Sequence, residues 1–226
     1  VTSPPVLLAH GFASSFELNW RDPGFVDLLE DSGRTVLPFD FPGHGTADKP
    51  HDPEAYDDLP GALLAAMPDE PIDVVGFSMG ALMSLRVAVE HPERFNRLVI
   101  AGVGENVFSD HSAEGTAGAI ESGHAEEDDV LGNLFVQFSK VPGNDPVALA
   151  MCMRRMRRAM TAAELDQVTC PTLVILGDKD FAGPADRLMD ALPNARLVVL
   201  RNTEHFATPR SFAFIDAALD FLGASV

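Results

Sequence analysis

Lysine is nearly missing from this chain: three stand among 226 residues beside 13 arginines, and against 34 acidic residues they leave a formal net charge of −18. So negative a molecule repels polyanions, which excludes nucleic acid and anionic membrane surfaces as expected partners. Cysteine is scarce too. Cys152 and Cys170 are too few for a disulfide framework and read as free thiols of a reducing compartment, so the expected location is cytoplasmic. No apolar run approaches the roughly 20 residues of a membrane span, and the first residues lack the charged and apolar regions of a signal peptide. Histidines at H-E-x-x-H or H-x-x-x-H spacing are absent, as is a G-x-x-x-x-G-K-[ST] phosphate loop. Neither a metal nor a cofactor is implied.

What is present is a set of short aliphatic runs alternating with helical patterns, the signature of a parallel sheet with helices on both faces. Strands are expected near 6–9, 35–39, 72–76, 97–102, 172–176 and 196–200. The third of these, Ile72-Asp73-Val74-Val75, runs directly into Gly76-Phe77-Ser78-Met79-Gly80, and a helix-compatible stretch follows to about Glu90. A strand that enters Gly-x-Ser-x-Gly and leaves as a helix is a nucleophile elbow, in which small residues two before and two after let strand and helix approach. Ser78 is therefore the candidate nucleophile. The helix that begins at Met79 aims its first amides at the serine, which makes the Met79 N–H a candidate oxyanion donor.

Four further motifs join the elbow: His10-Gly11-Phe12 after Val6-Leu7-Leu8-Ala9, Asp40-Phe41-Pro42-Gly43-His44-Gly45, Pro171-Thr172-Leu173-Val174-Ile175-Leu176-Gly177-Asp178-Lys179-Asp180, and His205-Phe206 after Arg196–Leu200. Together they resemble the α/β-hydrolase superfamily over nearly the whole chain except about 65 residues in its middle. The resemblance implies that the Phe12 amide is the second oxyanion donor, that the Asp40 turn is architectural, and that Ser78, an acid and His205 form a catalytic triad in that chain order. The G-x-x-D pattern makes the acid Asp180, with Asp178 as the rival two residues away. His205 is preceded by Glu204 where the family has glycine. The other histidines, His10, His44, His51, His91, His111 and His124, are read as structural or superficial. Serine at the elbow sets the chain apart from relatives of the same superfamily with aspartate there, the haloalkane dehalogenases and epoxide hydrolases.

The resemblance also implies a fold: a mostly parallel sheet of about six strands, lacking the family's usual first pair, with a core at 1–104 and 171–226 and a small helical cap at 105–170. Without the first pair, Thr35-Val36-Leu37-Pro38-Phe39 becomes an edge strand, a place where proline is tolerated. In the cap, Pro146 opens a helix whose Leu149, Cys152, Met153, Met156 and Met160 share one face. Arg154, Arg155, Arg157 and Arg158 read as a solvated face that neutralises nearby acids, with carboxylate or phosphate binding as the alternative. The run Glu126-Glu127-Asp128-Asp129 reads as a loop or helix N-terminus. Phe77, Phe135, Phe138 and Met153 are candidate substrate contacts, and Trp20 reads as structural.

The expected activity is hydrolysis of a small carboxylic ester or lactone, with water as co-substrate. Carbon–carbon bond hydrolysis, lyase or perhydrolase chemistry with the same triad is the first alternative. A ligand sensor on a hydrolase scaffold is the second.

Overall fold

The computed structural model describes residues 3–109, 113–156 and 159–224. Six strands make one sheet among them: β1 (Val6–Ala9), β2 (Val36–Leu37), β3 (Ile72–Phe77), β4 (Phe95–Ala101), β5 (Thr172–Gly177) and β6 (Ala195–Leu200). Their order is β2-β1-β3-β4-β5-β6, and every neighbouring pair is parallel. β1, β3 and β5 are buried along their whole length. That is why they are largely apolar: a central parallel strand has helices on both faces.

Side-chain alternation divides the core in two. Leu7, Val74, Ile100 and Val174 face one layer, which includes α2 (Leu59–Ala65), α3 (Met79–Glu90) and α8 (Asp186–Ala191). Leu8, Val75, Val99 and Leu173 face the other, where α1 (Phe25–Asp31) and α9 (Phe212–Leu222) supply Phe25 and Phe214. Trp20 stacks on Phe214 in that second layer, fully buried, in a structural place. Between β4 and β5 the chain adds α4 (Glu114–Ser122), α5 (Val130–Ser139), α6 (Pro146–Arg155) and α7 (Ala162–Leu165), and no strand among the described residues. α4 and α6 pack together, and Ala148, Leu149, Cys152 and Met153 of α6 join the first core layer.

Several boundaries differ from the sequence reading. The edge strand pairs only at Val36 and Leu37, so Pro38 lies just beyond it. β4 begins at Phe95 rather than 97. After β6, Pro209 falls in a 3₁₀ turn (His205–Arg210) and α9 starts only at Phe212, because proline has no N–H to continue an α-helical ladder. α6 ends at Arg155, so Met160 reaches the core from beyond the helix, with its N–H bonded to the Val107 carbonyl at 3.0 Å. Both cysteines are buried and unpaired with each other; burial pushes the Cys152 thiol up to about 12. No helix among the described residues is long and apolar enough to cross a membrane.

Candidate active site

Ser78 alone makes the turn from β3 into α3, at φ 51° and ψ −110°. A non-glycine residue in that region is strained and persists only when its surroundings hold it there. Two glycines make this possible. A Cβ on Gly80 would lie 2.1 Å from the Ala9 carbonyl oxygen, and one on Gly76 would lie 2.7 Å from the Ala81 backbone. No side chain fits at either position, so the strand and helix close to a distance that projects the serine off the end of the sheet.

There the loops after β5 and β6 bring it two partners. His205 Nε2 lies 2.9 Å from Ser78 Oγ, and His205 Nδ1 lies 2.8 and 3.0 Å from the two oxygens of Asp180. The arrangement has the Nδ1–H donating to the carboxylate, which leaves Nε2 as acceptor for the serine hydroxyl. Asp180 Oδ1 also accepts the Ala182 N–H at 2.8 Å. Both side chains are shut from water, at 3% exposure for His205 and 0% for Asp180. Asp178 points elsewhere: it is exposed, and amides of the next loop, Asn202 first and then Thr203, hold its carboxyl below the usual carboxylate range. Glu204 is exposed while His205 is buried, so these neighbours diverge.

The His205 ring lies between two phenylalanines. Phe77 is 5.0 Å from it, centroid to centroid, and Phe181 4.2 Å, both at shallow angles. Such faces confine the ring.

The Met79 amide is the first of α3 and has no carbonyl one turn earlier in the helix to bond. The Phe12 amide has no hydrogen-bond acceptor among the described residues. The loop carrying it is braced at three points. Asn19 Oδ1 accepts the Gly11 N–H at 2.7 Å, the Ala13 backbone is left-handed at φ 55°, and Asn144 Nδ2 donates to the Ala13 carbonyl at 3.0 Å. His10 pins the loop from beneath: its Nδ1 donates to the Gly11 carbonyl and its Nε2 accepts the Phe41 N–H, at 2.8 and 3.1 Å. Burial depresses its pKa, so it is a neutral strut.

Ser78 opens onto a cavity of about 400 Å³ between the sheet end and the helices of the inserted segment. Phe12, Met79, Leu82, Phe135 and Met153 wall it, with Phe181, half exposed, at its edge. Of the candidate substrate contacts, Phe135 and Met153 therefore lie on the wall. Phe77 and Phe138 do not. Phe77 falls on the opposite face of β3 by alternation and backs His205, and Phe138 packs on Phe206 at 4.8 Å. Met156, on the helix face read from the sequence, lines the cavity too, and sequence reasoning missed Leu82, Arg86 and Phe181. Phe181 adjoins Asp180, a signal that was there to use. Of the arginine cluster, Arg154 pairs with Glu114 and Glu121 and Arg155 with Asp57, away from this cavity; Arg157 and Arg158 lie outside the described residues. The acidic run ends on Asp129, which caps α5. Among the described residues no three His, Cys, Asp or Glu side chains converge as metal ligands would.

A family model described as the alpha/beta hydrolase family matches residues 6–217. The chain belongs to that family. It is 28% identical over 231 residues to the pimeloyl-[acyl-carrier protein] methyl ester esterase of Neisseria meningitidis serogroup C, with 88% of this chain and 86% of that one covered. It is 27% identical over 229 residues to a 2-hydroxy-6-oxononadienedioate/2-hydroxy-6-oxononatrienedioate hydrolase of Cupriavidus pinatubonensis, covering 88% and 79%. Among solved structures, the meta-cleavage product hydrolase of Pseudomonas fluorescens superposes with a TM-score of 0.72 at 22% identity, over 98% of this chain and 91% of that one, a likeness of fold. This α/β-hydrolase is a hydrolytic enzyme, and its sheet is the family's parallel core.

Proposed function

We propose that this α/β-hydrolase cleaves a carboxylic ester through an acyl-enzyme on Ser78. The observation that carries the reading is the 2.9 Å contact between Ser78 Oγ and His205 Nε2, backed by Asp180 and facing an apolar cavity. Serine is a weak nucleophile at neutral pH and needs a base in reach, with a third group to fix the base's tautomer. Ser78 attacks the ester carbonyl as His205 takes its proton, and the Phe12 and Met79 amides receive the oxyanion. Collapse expels the alcohol, which leaves with the proton from His205. Water, deprotonated by His205, then attacks the acyl-serine and releases the acid, returning the proton to Ser78. Asp180 stays ionised throughout and stabilises the imidazolium. The segment 105–170 serves as the cap: Leu131, Phe135, Met153 and Met156 close the cavity over the serine, and methionine makes that wall adaptable.

Hydrolysis of p-nitrophenyl esters from acetate to decanoate by wild type and Ser78→Ala tests the mechanism. Removal of the nucleophile is expected to cost about 10⁶ in kcat with the fold intact. Undiminished turnover in a folded variant would rule the acyl-enzyme out. The likeness to a dioate hydrolase supports a second reading, carbon–carbon cleavage by the same residues. Turnover of a vinylogous diketone with inertness toward every ester would select it.

A further inference from the structure

Two phenylalanines of the cavity wall lie beside different parts of the proposed machinery. Phe135 packs edge-on against Phe12, whose amide is the proposed oxyanion donor, at 5.5 Å between centroids, whereas Phe181 covers His205 at 4.2 Å. Phe181 is also held in place. It stands in a turn that Asp180 closes twice, with its Oδ1 accepting the Ala182 N–H at 2.8 Å and its carbonyl the Gly183 N–H at 3.4 Å. The Ala182 carbonyl in turn accepts the Asn106 N–H at 3.0 Å. Single apolar side chains on a surface need no explanation. Of the large ones exposed among the described residues, however, Val130, Leu197, Val199 and Phe212 do not line this cavity and Phe181 does. A ligand in the cavity thus meets a fixed aromatic ring that is still half in water.

Resting on the ester-cleavage reading above, we propose that Phe181 is the contact surface for the alcohol half of the substrate, so that the preferred substrates are esters of alcohols that carry an aromatic ring. The placement follows from where each substituent of the tetrahedral carbon goes. The oxyanion turns to the Phe12 and Met79 amides. The departing oxygen turns to His205 Nε2, because the proton that this nitrogen took from Ser78 Oγ passes to the alcohol as its C–O bond breaks. The acyl chain is left the wall formed by Leu82, Phe135 and Met153. A group on the departing oxygen therefore extends from His205 along the side of the cavity that Phe181 borders. There a flat ring meets Phe181 in an offset or edge-to-face pair, which a saturated ring of the same size cannot form, and either ring takes apolar surface of Phe181 out of water.

The test uses the butyrates of methanol, cyclohexylmethanol and benzyl alcohol, with methyl phenylacetate and methyl cyclohexylacetate to put the same rings on the acyl side. Wild type, Phe181→Ala and Phe181→Leu are compared, with folding checked by circular dichroism. The three butyrates form one and the same acyl-enzyme, so differences in kcat/KM among them arise before the alcohol leaves. Any disturbance of His205 lowers all substrates alike and cancels in the ratios. Wild type is expected to favour benzyl over cyclohexylmethyl butyrate. The ratio of kcat/KM for benzyl over methyl butyrate is expected to fall by about 5- to 20-fold in F181A and by less in F181L, as for loss of an aromatic pair and its covered area. The ratio for the two acyl-side rings is expected to stay as it is. A benzyl ratio unmoved by F181A, a wild-type preference for the cyclohexylmethyl ester, or a change confined to the acyl-side pair overturns the proposal while leaving the ester-cleavage reading intact. Failure to hydrolyse any ester overturns that reading instead. Calorimetric binding of benzyl butyrate to Ser78→Ala, weakened in Ser78→Ala/Phe181→Ala, then decides Phe181 separately, and equal or absent binding in the two overturns its role.

Discussion

The two ends of the same sheet each bury a charged cluster, and only one of them has an opening. At the strands' N-terminal end Arg34 and Asp73 pair at 2% and 0% side-chain exposure. Every direction around them is taken: Arg34 donates to the Pro4 and Leu222 carbonyls, and Asp73 accepts from Asn96 as well. At the C-terminal end Asp180 and His205 are equally shielded, but their chain of bonds ends on a serine hydroxyl that borders a cavity. Burial and pairing are common to both clusters. What separates a clamp from a candidate site is a hydrogen-bonded chain that stops short of saturation where a ligand has room to enter.

Mutations at the acids break this comparison most sharply. If Asp180 fixes the His205 tautomer, Asp180→Asn lowers kcat by about 10⁴ through the wrong tautomer and leaves the folding midpoint nearly unchanged. Asp178→Asn, two residues away on an exposed side chain, changes kcat little; equal losses in the two variants contradict the assignment. Asp73→Ala should do the reverse. It strands Arg34 as a buried unpaired charge, at a cost of about 3–5 kcal/mol in denaturant unfolding, while kcat per folded molecule is retained. Replacing both partners by apolar residues recovers much of that loss.

Legibility in the sequence followed the same division. The elbow was legible because the contacts around Gly76 and Gly80 admit nothing but glycine, so the geometry leaves a mark at fixed spacing. The strand order and the edge position of β2 followed from the resemblance and the aliphatic runs. The Arg34–Asp73 clamp was missed although Asp73 interrupts an apolar run, since its partner lies 39 positions away in the chain. The cavity wall was half legible. Phe135 and Met153 lie on it, but which face a helix of the inserted segment presents depends on how that helix packs, and nothing local to Phe138 encodes that. Asn19 and Asn144 act through single hydrogen bonds to backbone, which leave no pattern at all.

A smaller effect separates the two kinds of histidine at the open end. His44 is fully buried beside Phe12, its Nδ1 3.0 Å from the Pro42 carbonyl, and Nε2 has no partner among the described residues. Burial, helped by the charge that His10 would carry, lowers its pKa to about 3. The unfolded chain, at about 6.5, therefore takes up the proton first. Stability from His44 is complete above about pH 6.5 and drains away as pH falls toward 3, by up to about 1.4 kcal/mol per pH unit. His10 is depressed in the same direction and keeps its own share, so His44→Asn, whose amide replaces the Nδ1 donor without a titrating charge, should reduce the slope between pH 6 and 4.5 without abolishing it. Urea melts at pH 7, 6, 5 and 4.5 read it directly, and an unaltered slope shows that the acid limb arises elsewhere.

The smallest effect tests whether the inserted segment does more than cover the cavity. Asn144 Nδ2 bridges two carbonyls, Phe138 of α5 and Ala13 of the loop that carries the Phe12 amide, at 2.9 and 3.0 Å. Ala13 sits at φ 55°, a conformation that alanine adopts only when held. Asn144→Ala removes the outer hold and leaves Asn19 and His10 beneath, so the loop stays near its place with a wider spread of amide positions. The stability cost is that of ordinary hydrogen bonds, about 1 kcal/mol, but an oxyanion donor works only in register with the developing charge. The expected signature is a fall in kcat of about tenfold or less with KM nearly unchanged, because the ground-state ester makes little use of that amide. A rise in KM at constant kcat would mean instead that Asn144 shapes the cavity and leaves the proposed oxyanion loop alone.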